Sequence, residues 1–241
     1  MRIEHLGQSG VRLAWGGASL AIDPPARVGD PVVVTWTEAE RVAGARAGSR
    51  PVAASPEVLR WLGIDGVPLD GEADVAGFRV RATPYDPIPY ATAPEAVRKT
   101  MSALRSPRLA FTRLSHTLRR PAAPPLALDI TRDGVRVVFL GQALHRFVEH
   151  DALDRLVRRH AEPDVLVAGT DFDDEEATGR LMRVFGARRY VLVDAVGPIR
   201  RMLGLPVRSL QVCLAHAPRG TIPLEEHDAV DLSDVHPKAG G

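Results

Sequence analysis

Residues 1–25 read MRIEHLGQSGVRLAWGGASLAIDPP, and this stretch decides the fold. Val11, Leu13 and Trp15 alternate with Arg12 and Ala14, the period of two that marks a half-buried strand. Gly16-Gly17 follows, and paired glycines accept the positive φ angles of a two-residue hairpin. Residues 18–22 return as a strand that Asp23-Pro24-Pro25 ends, and residues 1–6 precede it as another. The chain therefore opens as a β-meander.

Beyond this opening the signals change in kind. Residues 31–35 (PVVVT) are a β-branched run typical of a strand buried on both faces. A helix is predicted over 38–47 and a short strand at 52–53. Ser55-Pro56-Glu57 then caps a helix through Leu62, and 78–82 form a strand. Residues 85–125 are the least regular part, with prolines at 87, 89, 94, 107, 121, 124 and 125 and one predicted helix at 94–104. Residues 126–130 and 135–140 read as a hairpin about Asp133-Gly134. An amphipathic helix at 151–160, a strand at 164–168, a helix at 173–185 and strands at 190–193 and 207–214 complete the chain. Each end thus runs hairpin, apolar strand, helix, strand. Two such halves packed sheet to sheet, with helices outside, form an α/β sandwich. The expected organisation is one domain over 1–235, an irregular basic insertion at 85–125, and a disordered tail at 236–241.

Composition narrows the function classes. The chain has 241 residues, 45% apolar and 25% charged, with a formal net charge of +1. That balance supplies no overall pull toward nucleic acid or an anionic membrane. Nothing approaches the ~20 apolar residues of a membrane span, and the first residues show no secretory pattern. A cytoplasmic location is the expectation, and the abundance of Ala, Arg, Val and Pro suggests a bacterial, GC-rich source. Cys213 is the only cysteine, so intrachain disulfides and cysteine-based zinc sites are excluded. It falls in the predicted strand 207–214 and is expected to be inert.

These landmarks resemble the metallo-β-lactamase-fold hydrolases, most closely the branch that includes L-ascorbate-6-phosphate lactonase. Leu6-Gly7-Gln8-Ser9, Gly16-Gly17 and Ile22-Asp23-Pro24 stand where that branch has Leu-Gly-His-(Ser/Ala), a Gly-Gly hairpin and Ile-Asp-Pro. PVVVTWTEAERVAGA, GVRVVFLGQAL and RRYVLVDAVGP fall where the family carries its metal-binding loops. The resemblance implies a four-layer αββα sandwich of two mixed sheets. It also implies a cleft in which imidazoles and carboxylates hold one or two metal ions, commonly zinc.

The residues at those loops depart from the family pattern. Trp36 and Glu38 stand at the first two histidine positions, Glu40 at the aspartate and Arg41 at the next histidine. Asp86 lies near a further histidine position, Gln142 replaces the bridging aspartate, Asp194 the last histidine and Gln8 an early one. Tryptophan cannot ligate, arginine has no free lone pair, and glutamine is a weak neutral ligand. The resemblance with these departures implies a degenerate member without the usual dinuclear zinc centre. The expectation is that it takes no metal cofactor and uses the old cleft for binding, regulation or assembly.

The alternative is a lactone or phosphoester hydrolase with Mn²⁺ or Mg²⁺ on a remodelled carboxylate site. The carboxylates Glu38, Glu40, Asp86 and Asp194 suit such an oxygen-rich site. They equally suit ion pairs in which Arg41 meets Glu38 or Asp194, and the ion-pair reading is preferred. Glu38, Glu40 and His145 are the candidate acid–base groups. Trp36, Glu38, Glu40, Arg41, Asp86, Gln142 and Asp194 are the expected cleft lining, with Trp36 filling volume. Asp23 is expected to be structural, accepting backbone N–H bonds in its turn. Arg98, Lys99, Arg105, Arg108, Arg113, Arg119 and Arg120 make 98–120 basic, suited to an anionic metabolite or to plain solvation. The acidic run Asp171, Asp173, Asp174, Glu175 and Glu176 fits a helix start. A small anionic metabolite, a protein partner or a second copy are the partners considered. Nucleic acid and membrane are not expected.

Overall fold

The computed structural model describes residues 1–37, 41–85, 121, 123–141, 150–170, 175–202 and 207–236. The first half comprises β1 (Arg2–Gly7), β2 (Gly10–Trp15), β3 (Ala18–Ile22), β4 (Val32–Val33), α1 (Ala43–Arg46), β5 (Val52–Ala54), α2 (Pro56–Leu62), β6 (Val67–Pro68), β7 (Glu72–Val75) and β8 (Phe78–Pro84). The second comprises β9 (Leu126–Arg132), β10 (Val135–Gly141), α3 (His150–His160), β11 (Val165–Gly169), α4 (Glu175–Met182), β12 (Arg189–Val193), α5 (Gly197–Met202), α6 (Ser209–His216), β13 (Ile222–Leu224) and β14 (Ala229–Asp231).

The strands form two mixed sheets, ordered β14-β1-β2-β3-β4-β5-β6 and β13-β12-β11-β10-β9-β8-β7. The meander read from residues 1–25 is present: β1–β2 and β2–β3 are antiparallel, and Gly16 and Gly17 take φ of 55° and 81° at the hairpin. The parallel strands alternate their side chains between two buried faces, which is why their sequences are apolar throughout. Val137, Phe139, Val165, Val167, Val191 and Val193 point inward to meet Ile3, Val11, Leu13, Leu20 and Ile22 of the other sheet. Val138, Leu140, Leu166, Ala168 and Leu192 point outward under helices, with Leu156 of α3, Met182 of α4 and Leu210 and Cys213 of α6. Val32, Val34, Val52 and Ala54 do the same beneath Ala45 of α1 and Val58 and Leu59 of α2. The result is the αββα layering expected.

Residues 207–214 are not a strand. Ser209–His216 is helix α6, whose buried Leu210 and Cys213, continued by Ala217 at its C-cap, recur every three or four residues. A short apolar run reads either way when its period is not examined. Cys213 is therefore buried in a helix. The predicted helix 173–185 is α4 followed by a 3₁₀ turn, Arg183–Phe185. Only Ala43–Arg46 of the predicted helix 38–47 is described as helix. The predicted helix 94–104 and residues 237–241 of the predicted tail lie outside the described residues. Tyr85 N–H donates to the Pro125 carbonyl at 3.1 Å, and Leu126 N–H to the Thr35 carbonyl at 2.8 Å, so the two flanks of 86–120 are tied together and to β4.

A polar network locks α3 onto the second sheet. Arg136 donates to the Arg159 carbonyl at 3.2 Å and the Ala161 carbonyl at 2.7 Å, satisfying backbone groups at the helix C-terminus. The same guanidinium grips both oxygens of the buried Asp129 at 2.7–3.0 Å. His160, fully buried, sets Nε2 3.0 Å from Thr83 Oγ1 and Nδ1 3.6 Å from Asp129 Oδ2. Burial alone would raise the Asp129 carboxyl, but its His160 and Arg136 neighbours outweigh burial and hold it below its ordinary value. A depressed carboxyl adds stability above its unfolded pKa of about 4, and that stability is lost as pH falls through the folded value. Asp129→Asn is expected to destabilise the chain by about 2 kcal/mol at pH 7, allowing for the partly exposed Arg136. Urea unfolding at pH 7 and pH 3 checks this: the gap from wild type must narrow at pH 3, and an equal gap at both would refute the linkage.

Candidate functional site

Strand direction brings the loops of interest to one edge. β1, β3, β4 and β5 run parallel in one sheet, and β8, β10, β11, β12 and β13 in the other. Gln8, Asp23, Thr35, Gly141, Thr170 and Asp194 follow the C-terminal ends of these strands, the side on which open α/β sheets place their ligands. Gly141 O lies 3.1 Å from the Cβ position of Gly169, and Ala195 Cβ lies at the same distance. The ends of β10, β11 and β12 are thus in direct contact.

Asp23 is fully buried and uses both carboxylate oxygens. Oδ1 accepts Thr35 N–H at 2.7 Å, and Oδ2 accepts the Thr35 hydroxyl and Arg41 Nη1, the latter at 2.8 Å. Arg41 Nη1 also donates to Thr35 Oγ1 at 2.8 Å. Burial pushes the Asp23 carboxyl above its ordinary value, although Arg41 and the Thr35 donors pull against it. Arg41 is 3% exposed and reaches toward the second sheet, with Nη1 2.9 Å from where a Cβ on Gly141 would stand. Gly141 has φ +57°, so a side chain here would be strained in conformation and would crowd the guanidinium. Trp36 is buried, donates its indole N–H to the Ala123 carbonyl at 3.1 Å, and lies 5.9 Å from the Arg41 guanidinium.

Of the two partners expected for Arg41, Asp194 is engaged elsewhere and Glu38 lies outside the described residues. Asp194 Oδ1 accepts Gly197 N–H at 3.0 Å and the Thr170 hydroxyl at 3.4 Å, while the Thr170 oxygen accepts Val196 N–H at 3.3 Å. The carboxylate lies over the start of α5, where a Cβ on Gly197 would come within 1.8 Å of Oδ2. Among the described residues no donor meets Oδ2, although Asp194 is only 3% exposed. Gln8 takes φ +49° in the β1–β2 turn, its carbonyl 2.7 Å from His5 Nε2 and its Oε1 buried without a described partner. Glu38, Glu40, Asp86, Gln142 and His145 lie outside the described residues. Sequence reasoning placed Asp23 correctly in a structural turn but missed Arg41 as its partner. The signal was available: a charged residue in a sequence-local loop, with a buried carboxylate one strand away.

No known protein family and no curated protein sequence matches the chain. Solved structures do. A possible metal-dependent hydrolase from Veillonella parvula aligns with TM-score 0.58 and 14% identity over 96% of this chain and 99% of that one. The metallo-β-lactamase fold protein YhfI from Bacillus subtilis gives 0.57 and 12% over 95% and 99%. CmlA, a diiron β-hydroxylase from Streptomyces venezuelae, gives 0.54 and 11% over 96% of this chain and 54% of that one. The chain has the metallo-β-lactamase fold. The expectation that it takes no metal cofactor is corrected, because its structural neighbours are metal-dependent hydrolases and a diiron hydroxylase. That expectation rested on the loss of ligating side chains at several loop positions together; at one of them, Arg41 pairs with Asp23 at 2.8 Å.

Arg41→Ala would leave Asp23 buried without its counter-charge and is expected to lower stability by about 3 kcal/mol. Chemical denaturation of Arg41→Ala, Asp23→Ala and the double variant checks it. Additive losses, showing no coupling between the two sites, would contradict the pairing.

Proposed function

We propose that this chain is a metal-dependent hydrolase of the metallo-β-lactamase fold, cleaving lactone or phosphoester bonds at the strand-end cleft. The observation that carries the reading is Asp194: a nearly buried carboxylate, fixed through Oδ1 by Gly197 N–H and Thr170, with Oδ2 met by no described donor. Such an oxygen suits a hard cation. Among the described residues no three His, Cys, Asp or Glu groups come together, and Trp36 and Arg41 cannot ligate. Glu38, Glu40 and Asp86 are the proposed companions of Asp194. This all-oxygen set fits Mn²⁺ or Mg²⁺ and does not fit zinc, which prefers imidazole and thiolate. When bound, such an ion supplies Lewis-acid polarisation of the scissile group.

The chain's own residues do the rest. Thr170 and Gly197 hold Asp194 in one rotamer, His145 is the candidate proton carrier, and the basic segment 98–120 suits an anionic substrate. The similarity to a possible metal-dependent hydrolase supports this reading at the level of fold. A second reading is a non-catalytic member whose cleft binds a ligand or a partner chain. The buried Trp36 and Arg41, both unable to ligate, favour it.

The deciding assay is turnover of lactone and phosphodiester panels with Mn²⁺ or Mg²⁺. Activity is expected to vanish with chelator and to fall about 100-fold in Asp194→Asn. No turnover on either panel, with metal bound, would leave the second reading.

A further inference from the structure

The outer helices of the second sheet are fastened in unlike ways. α4 and α6 press backbone against backbone: a Cβ on Gly179 would stand 2.3 Å from the Cys213 carbonyl oxygen, and Met182, Leu210 and Cys213 are buried with the strands beneath. α3 buries less. Among its described side chains Leu156 and His160 are buried and Leu153 and Val157 half-buried, while Asp154, Arg155, Arg158 and Arg159 are exposed. Its last turn is held by polar groups. Arg136 Nη1 and Nη2 donate to the Ala161 and Arg159 carbonyls, and the Nε and Nη2 groups of the same guanidinium reach Asp129 at 2.7–3.0 Å. His160 lies between Asp129 of β9 and Thr83 of β8. Asp129, 5% exposed, is therefore the group on which both attachments converge.

From this contrast we infer that α3 opens as a unit of its own, ahead of the sheets, and that the Asp129 carboxylate is the acid-sensitive latch that keeps it closed. Protonating Asp129 removes the anion that holds the Arg136 guanidinium against the helix end, and leaves buried His160 facing a neutral carboxyl. The sheet keeps its own bonds: β9 and β10 stay paired from Leu128–Phe139 to Arg132–Val135. The chain just past the helix is anchored separately, Glu162 N–H to the Phe185 carbonyl at 2.6 Å and Asp164 N–H to the Arg136 carbonyl at 3.0 Å. Two other carboxylates lie near the latch. Glu72 takes Arg81, which stands opposite Asp129, and Asp164 takes Arg188 and the Arg136 backbone N–H; neither bonds a residue of α3. Burial works against the Asp129 charge, but His160 and Arg136 outweigh it and hold the carboxyl below its ordinary value. The latch is thus closed above the unfolded pKa of about 4 and released as pH falls through the folded value.

Hydrogen exchange of the full chain, read by mass spectrometry and corrected for the chemical rate at each pH, resolves opening element by element. In wild type at pH 7, α3 amides are expected to exchange at least about ten times faster than those of β11 and β12, with little response to urea below the unfolding transition. Asp129→Asn removes the charge at nearly constant size and is expected to speed α3 exchange about 30-fold at pH 7, with β11 and β12 still slower than α3. At pH 3 wild type is expected to approach the variant. Equal protection of α3, β11 and β12 in wild type would overturn the separate opening. Unchanged α3 exchange in Asp129→Asn would overturn the latch. If that variant does not fold, wild type decides alone: α3 protection that does not fall between pH 7 and pH 3 would overturn the latch.

Discussion

The ion pair between Arg41 and Asp23 is the constraint around which the cleft is arranged. Both partners are withdrawn from water, and the desolvation of two charges is recovered only because each is also hydrogen-bonded to Thr35. The pair fixes the chain on either side of residues 38–40, from Thr35 at the end of β4 to the start of α1. It also explains a glycine at 141, where any side chain would meet the guanidinium. A local charge interaction thus ties the loops after β3 and β4 together, while the apolar core holds the faces of the two sheets.

The fold was largely legible in the sequence because its signals are periodic. Alternation in β2, the Gly16-Gly17 turn and the β-branched runs of β4 and β11 each report burial directly. The failures are as informative. The run 207–214 has the apolar density of a strand, but the spacing of Leu210, Cys213 and Ala217 is helical. The short strands β6, β7, β13 and β14 carry too few residues to show any period at all.

The site was legible only in part, and the reason is physical. Strand order and direction place Asp23, Thr35, Arg41, Gly141 and Asp194 at one edge. Which charge neutralises which is a different question. It depends on side-chain reach across a β-turn and between sheets, which sequence spacing does not encode. Arg41 found the carboxylate of the preceding strand end and not Asp194, because Asp194 is turned toward the start of α5 by Gly197 and Thr170.

The bond from Tyr85 to Pro125 has a bearing on how such a protein diversifies. Exit and return points of the intervening chain coincide, and Leu126 anchors that junction to Thr35. Loop-closure entropy rises only slowly with length, so a change in the number of residues between those anchors costs the closed junction little. The joined ends at Tyr85 and Pro125 thereby let length vary without reopening the sheet edge, provided Ala123 keeps its place beneath Trp36.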